Sequence, residues 1–252
     1  MKRFYKEVSV AEIPPSPGGR GQGGAASAAL GEWETPRFQI LLDGKPVTTP
    51  ARNLLALPAR ALAEAIAAEW AAQGDEIVPV SMPFLRLAHT VIDGVAANRG
   101  AVIGAILRFG ENDLLCYRAH QPPELVRLQA EGWDPVLAWA RARYDVDFAV
   151  VEGFTHQDQP PATLAAFRAA LEEKDSFALA ALHVAASIAG SVVLALALAD
   201  GELTPARVFS LSRIDEDYQA SKWGRDHEAE IRAASLAREL DKAAAFLAAA
   251  RG

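Results

Sequence analysis

The densest run of side chains able to do chemistry lies near the end of the sequence. It reads Arg213-Ile214-Asp215-Glu216-Asp217-Tyr218-Gln219, then Lys222-Trp223-Gly224-Arg225-Asp226. Carboxylates this close could divide the roles of general acid and base. On a helix, however, three consecutive residues fan over about 200° at about 3.6 residues per turn, so they cannot share one face. That geometry is poor for an acid–base pair and good for a charged helix end presented to a protein partner. Asp215 with Gln219, and Tyr218 with Lys222, stand at i,i+4 spacing and are expected to touch. Ile214, Tyr218 and Trp223 are expected to anchor the helix inward. Taken alone, the same run also reads as a solvated helix face with local ion pairs.

The remaining candidates are scattered. His89, His120, His156, His183 and His227 are far apart, and no pair has metal-ligand spacing on a helix. A serine-nucleophile signature of the GxSxG type is absent. The single cysteine, Cys116, sits between Leu115 and Tyr117 and reads as a buried, inert thiol. One cysteine also excludes an internal disulfide and a site of several thiolates. No catalytic residue, metal or cofactor is therefore expected. The rival reading from another class is a small hydrolase using the acidic residues of 215–227 with His227 or His183.

These residues need elements to position them. The chain has 252 residues, 51% hydrophobic and 23% charged, which suffices for a packed core. Its net charge is -7, which disfavours nucleic acid or an anionic membrane as partner. Residues 176–199 carry no formal charge, and 24 residues could span a bilayer. Nine of them are alanine, and Asp175 and Asp200 flank the stretch without any cluster of Lys or Arg. Two buried helices meeting near Gly190 are expected instead; the rival is a peripheral membrane protein using this segment. The N-terminus lacks the apolar stretch of a signal peptide, and a cytoplasmic location is expected.

The fold class expected is α+β. Residues 1–81 would form a small N-terminal sheet with a covering helix, and residues 82–252 an all-helical bundle domain. A strand is expected over 4–10. A Gly-rich flexible loop follows at 16–31, without the GK[ST] ending of a phosphate cradle. Residues 38–48 read as a hairpin turning at Asp43-Gly44, and 53–57 as a further strand. Pro58 suits a helix first turn, and Leu62, Ile66 and Trp70 mark its apolar stripe. Helices are expected at 83–97, 99–109, 135–143, from 161 to about 173, and over 205–221. Asp113–Arg118 is a strand or extended connector. The helix starts rest on Asp134-Pro135, Pro160-Pro161 and Thr204-Pro205. Gly224 breaks the chain, Asp226 caps the next helix, and Ala233, Leu236, Leu240, Ala243 and Leu247 mark its inward face. Of Trp33, Trp70, Trp133, Trp139 and Trp223, most are core candidates and one or two are candidate interface anchors.

Residues 214–230, IDEDYQASKWGRDHEAE, resemble the signature of the F-type ATP synthase assembly chaperones that bind the alpha subunit of the catalytic head. RFYKEVSV at 3–10, FQILLDGKPVTTPARNLLALP at 38–58, EWAAQGDEIVPVSMP at 69–83 and 112–139 resemble further parts of that family. The Gly-rich loop and the alanine-heavy tail after 231 depart from the pattern. The resemblance implies an α/β domain joined to a helical domain. It implies binding of free alpha subunit and protection from aggregation until the beta subunit arrives. No small-molecule substrate is expected, and the alanine content of 176–199 leads to the expectation of no membrane span. The family's functional acidic residue maps onto the Asp215–Asp217 triplet, at Glu216 or Asp217. The implied partner-binding residues are Asp215, Glu216, Asp217, Tyr218, Gln219, Lys222, Trp223, Arg225 and Asp226.

Overall fold

The computed structural model describes residues 1–15, 35–153, 155–224 and 226–252. The Gly-rich loop 16–31, Trp33 and Arg225 lie outside the described residues. The chain is α+β and packs as two compact units. One comprises Met1–Arg99, Ser176–Ala180 and Ala245–Gly252; the other comprises Gly100–Asp175 and Ala181–Ala244.

In the first unit β1 (Val8–Ile13), β2 (Arg37–Leu42) and β3 (Lys45–Pro46) form an antiparallel sheet. Val8 faces Leu42 and Ile13 faces Arg37 across the first pair. Asp43 and Gly44 turn the hairpin with φ of 49° and 76°, the left-handed conformation that an Asp-Gly turn supplies. The Asp43 side chain also accepts from Lys6 N at 3.0 Å and Glu7 N at 2.8 Å. The first strand starts later than the sequence suggests. Tyr5 turns inward, 4% exposed, and its hydroxyl donates to Trp70 O at 2.6 Å. Arg3 N bonds Asp75 O and Ile77 N bonds Met1 O, so residues 1–3 run beside 75–77 instead of joining the sheet. Residues 53–57 form only isolated bridges, Thr48 with Leu54 and Phe38 with Leu57.

Helix α1 (Arg60–Ala71) packs on β1 and β2 as expected and buries Leu62, Ile66 and Trp70; Ile40 and Leu42 of β2 are buried as well. Pro58 stands just ahead of it, because Ala59 is still extended. Next come α2 (Pro83–Thr90), a π turn (Val91–Val95), a 3-10 turn (Ala96–Asn98) and α3 (Arg99–Glu111). This run extends to Cys116 and is long and apolar enough, by length and composition, to cross a membrane, as the core helix of a soluble protein also can be. Asp93, in the π turn, accepts from Thr49 Oγ1 at 2.6 Å, Asn53 Nδ2 at 2.9 Å and Ala51 N at 3.1 Å, pinning the loop after β3.

In the second unit, α4 runs unbroken over Pro123–Tyr144, so the helix start expected at Asp134-Pro135 is not one. An interior proline costs about 3 kcal/mol. Trp133, Val136 and Leu137 are all buried on this helix, and each buried apolar side chain is worth about 1.5–3 kcal/mol. Packing therefore outweighs the break. The connector at 113–118 is a 3-10 turn plus β4 (Tyr117–Arg118), which pairs in parallel with β5 (Val151–Glu152). Helix α5 (Pro161–Glu172) starts at its proline pair.

The uncharged stretch 176–199 is two helices, α6 (Ser176–Ala189) and α7 (Val192–Ala199), parted at Gly190 with φ of 62°. Each is shorter than the roughly 20 residues a span requires, and every residue of α7 is buried. Asp113, 1% exposed, holds the start of α7: it accepts from Ser191 Oγ at 2.9 Å, Val193 N at 3.2 Å and Leu115 N at 3.1 Å. The expected helix over 205–221 is two, α8 (Pro205–Ser212) and α9 (Ile214–Trp223), joined at Arg213. Thr204 caps α8 through Arg207 N at 3.2 Å. Finally α10 (His227–Arg251) buries Leu240, Ala243 and Leu247, but Leu236 is exposed and Ala233 only half-buried. Its inward face thus covers only its second half.

Candidate functional site

Helix α9 carries the acidic cluster, and α4 holds it in place. Gly132 on α4 provides the seat. A side-chain carbon there would lie 2.6 Å from Ile214 Cδ1 and 3.1 Å from Leu211 Cδ2. Ile214, the first residue of α9, rests in the space that glycine leaves. The next residue of α4, Trp133, donates its Nε1–H to Leu211 O at 2.8 Å and fixes the end of α8. Between α4, α8 and α9 runs a groove of about 390 Å³ lined by Glu124, Gly132, Arg207, Ile214, Asp217 and Tyr218.

The three carboxylates fan around α9, as three consecutive helical positions must, and they meet three different environments. Asp215 is half-buried and accepts from Gln129 Nε2 at 2.6 Å. The same Gln129 side chain accepts from Ala119 N at 2.8 Å, and the residue is 1% exposed. The expected contact of Asp215 with Gln219 is therefore replaced by one to α4, where a buried amide needs an acceptor. Asp217 is paired loosely with Arg213 at 3.7 Å and stays 66% exposed. Glu216 is exposed, with no bonded partner among the described residues.

The rest of the cluster divides the same way. Tyr218 is buried, and Lys222 Nζ lies 5.1 Å from its ring centre, so this i,i+4 contact is made. Lys222 also donates to Glu124 Oε2 at 2.6 Å. That hydrogen bond holds the Glu124 carboxyl below its usual range and raises Lys222 above its own. Both side chains are solvent-exposed, so the pair contributes little to stability. Gln219 is exposed. Trp223 does not turn inward: it is 77% exposed, whereas Trp70 and Trp133 are buried and Trp139 is half-buried. Asp226 caps α10 through Glu228 N at 3.1 Å and lies 3.9 Å from Arg232.

Glu124 and Gln129 are the members the sequence did not reveal. They lie 98 and 86 positions from Lys222 and Asp215, and no local spacing announces such a pairing.

The histidines are dispersed. His227 opens α10 and forms no hydrogen bond with Asp215, Glu216 or Asp217. His89 and His183 are held below the usual imidazole range by burial, His183 with help from Arg108. Cys116 is fully buried, and burial pushes its thiol up to about 12, so it carries no thiolate at neutral pH. Among the described residues no group of three or more His, Cys, Asp or Glu side chains is placed to hold a metal ion.

Comparison with known proteins agrees with the sequence resemblance. A family model described as ATP12 chaperone protein matches residues 2–141. The crystal structure of Atp12 from Paracoccus denitrificans is 37% identical, with a TM-score of 0.87, over 99% of this chain and 98% of that one. An aspartate-to-lysine mutant of P. denitrificans Atp12p gives 36% identity and a TM-score of 0.88 over the same shares. A protein from Agrobacterium tumefaciens is 44% identical, with a TM-score of 0.84, over 98% of this chain and 84% of that one. The family match ends before α8, but the structural matches extend through α9 and α10. The chain belongs to the ATP12 chaperone family, the F-type ATP synthase assembly chaperones that its sequence resembles.

Proposed function

We propose that this protein binds the free alpha subunit of the F-type ATP synthase catalytic head in the bacterial cytoplasm and keeps it from aggregating until the beta subunit arrives. The observation that carries this reading is the two-sidedness of α9. Ile214, Asp215 and Tyr218 are committed to the protein's own packing, while Glu216, Asp217 and Trp223 are presented to solvent. An exposed tryptophan on the same helix as exposed carboxylates has the make-up of a protein interface, in which an aromatic anchor supplies affinity and a polar rim supplies specificity.

A lone alpha subunit exposes surface that the assembled head buries, and exposed apolar surface drives self-association. A chaperone that covers such surface acts by mass action, lowering the free concentration of the sticky species. It must also release its client. Charged contacts at the rim suit that need, because they set register and encounter rate more than residence time. The decisive variant is Glu216→Lys, which reverses a charge that bonds to no described side chain. Light scattering of free alpha subunit, with wild-type or variant protein, tests it. The variant is expected to fold normally and suppress aggregation less; equal suppression at equal dose overturns the proposal.

A further inference from the structure

The groove between α4, α8 and α9 has an apolar floor and a charged rim. Leu128 and Ile214, both only half-buried, are the part of the floor open to a ligand; Leu211 and Tyr218 are buried. Carboxylates stand on two of its walls. Glu124 and Glu131 are exposed on α4, two turns or about 10 Å apart along the helix axis, and Asp217 is exposed on α9. Arg207 of α8 is the one cation of the lining among the described residues.

A cation of this chain already occupies the rim. Lys222 reaches from α9 to α4, where its Nζ donates to Glu124 Oε2 at 2.6 Å and lies 5.1 Å from the ring centre of Tyr218. An ammonium between a carboxylate and an aromatic face is held both by charge and by the ring's quadrupole. Arg127 stands 3.0 Å from Glu131, and Arg213 stands 3.7 Å from Asp217. Each of the three carboxylates keeps more than half of its side chain exposed. Ion pairs so exposed contribute little, so a cation from outside can take the resident's place at little loss. Acidic residues also outnumber basic ones across the second unit, and such a field draws cations toward it.

We propose that this groove receives a client segment in which an apolar side chain is flanked by Lys or Arg, the client's cations replacing Lys222 on Glu124 and Arg127 on Glu131. The apolar side chain covers Leu128 and Ile214 and supplies affinity, while the rim carboxylates select the sign of the charge beside it. An acidic segment would set like charges against Glu124, Glu131 and Asp217. Lys222 is then a resident competitor: it moves to water when the client docks, and its return eases release. The inference rests on the chaperone reading in taking a protein as the occupant, and it adds the chemistry which that protein must present.

The test uses the whole chain and no alpha subunit, so it can fail while the Glu216→Lys experiment succeeds, and the reverse. The probe is a rhodamine-labelled, blocked peptide of leucine and lysine, read by fluorescence anisotropy. Unlabelled competitors of the same length are a leucine–lysine, a leucine–glutamate and a serine–lysine peptide. Only the leucine–lysine peptide is expected to displace the probe. Glu131→Lys is expected to weaken the probe about fivefold, and Leu128→Arg, which puts a cation on the floor, about tenfold. Lys222→Met is expected to tighten it about threefold, because Glu124 is then vacant; removing a residue that merely braced the groove would weaken it. If circular dichroism shows Leu128→Arg misfolded, Glu131→Lys and Lys222→Met decide. Four outcomes overturn the proposal: no saturable binding, equal displacement by the glutamate or the serine peptide, unchanged affinity in Glu131→Lys, or weaker binding in Lys222→Met.

Discussion

Removing the Asp215 carboxylate separates the structural from the presented half of the acidic triplet. In Asp215→Ala the Gln129 amide, 1% exposed, loses the acceptor it meets at 2.6 Å. A hydrogen bond to a charged group is worth about 1.5–3 kcal/mol, and an orphaned buried donor costs about 1–3 kcal/mol. Asp215 is only half-buried, so the lower part of that range applies. The substitution also removes a carboxylate from the first turn of α9, worth about 0.3–1 kcal/mol. Alanine's higher helix propensity returns a similar amount. The net expectation is a loss of about 2 kcal/mol, or about 4–8 °C in Tm for a chain of this size. Glu216→Lys, by contrast, breaks no bond to a described side chain, but it reverses a charge in the same first turn and is expected to cost about 0.5–1 kcal/mol. Urea denaturation followed by circular dichroism measures both on one scale. The reasoning fails if Asp215→Ala is as stable as wild type, or if Glu216→Lys loses as much as Asp215→Ala.

Burial raises the Asp113 carboxyl from 3.8 to about 6 against the opposing pull of its bonds to Ser191 and the start of α7. Its protonated form therefore favours the fold below about pH 4, and that contribution, about 3 kcal/mol, is lost as pH rises through about 6. Asp113→Asn is expected to flatten this part of the stability profile between about pH 4 and about pH 7; an unchanged slope would show that Asp113 titrates normally. Phe246 is fully buried, stacked on Phe177 at 6.1 Å and edge-on to Phe84 at 5.8 Å, so Phe246→Ala is expected to cost about 3–5 kcal/mol by chemical denaturation. A cost below about 1 kcal/mol would mean that the last turns of α10 contribute little to the first unit's core.

Much of this protein is determined locally and was legible in the sequence. Asp43-Gly44 can turn a hairpin because those two residues tolerate positive φ. Leu62, Ile66 and Trp70 share a stripe because the helix repeats every 3.6 residues or so. Pro161, Gly190, Thr204-Pro205, Gly224 and Asp226 act through their own backbones and immediate neighbours, and they punctuate the chain where the sequence places them. Tertiary structure decided what depends on distant partners. Pro135 stays inside α4 because buried Trp133, Val136 and Leu137 outweigh the lost backbone bond. The helix after Thr204 breaks at Arg213, where Leu211 and Ile214 both settle on Gly132. The triplet Asp215–Asp217 is all carboxylate in sequence; only the arrival of Gln129 from 86 positions away ties one of them inward, while Glu216 stays exposed. A side chain's type and spacing set what it can do, but solvent exposure and bonding, which select what it does, belong to elements that meet only on folding.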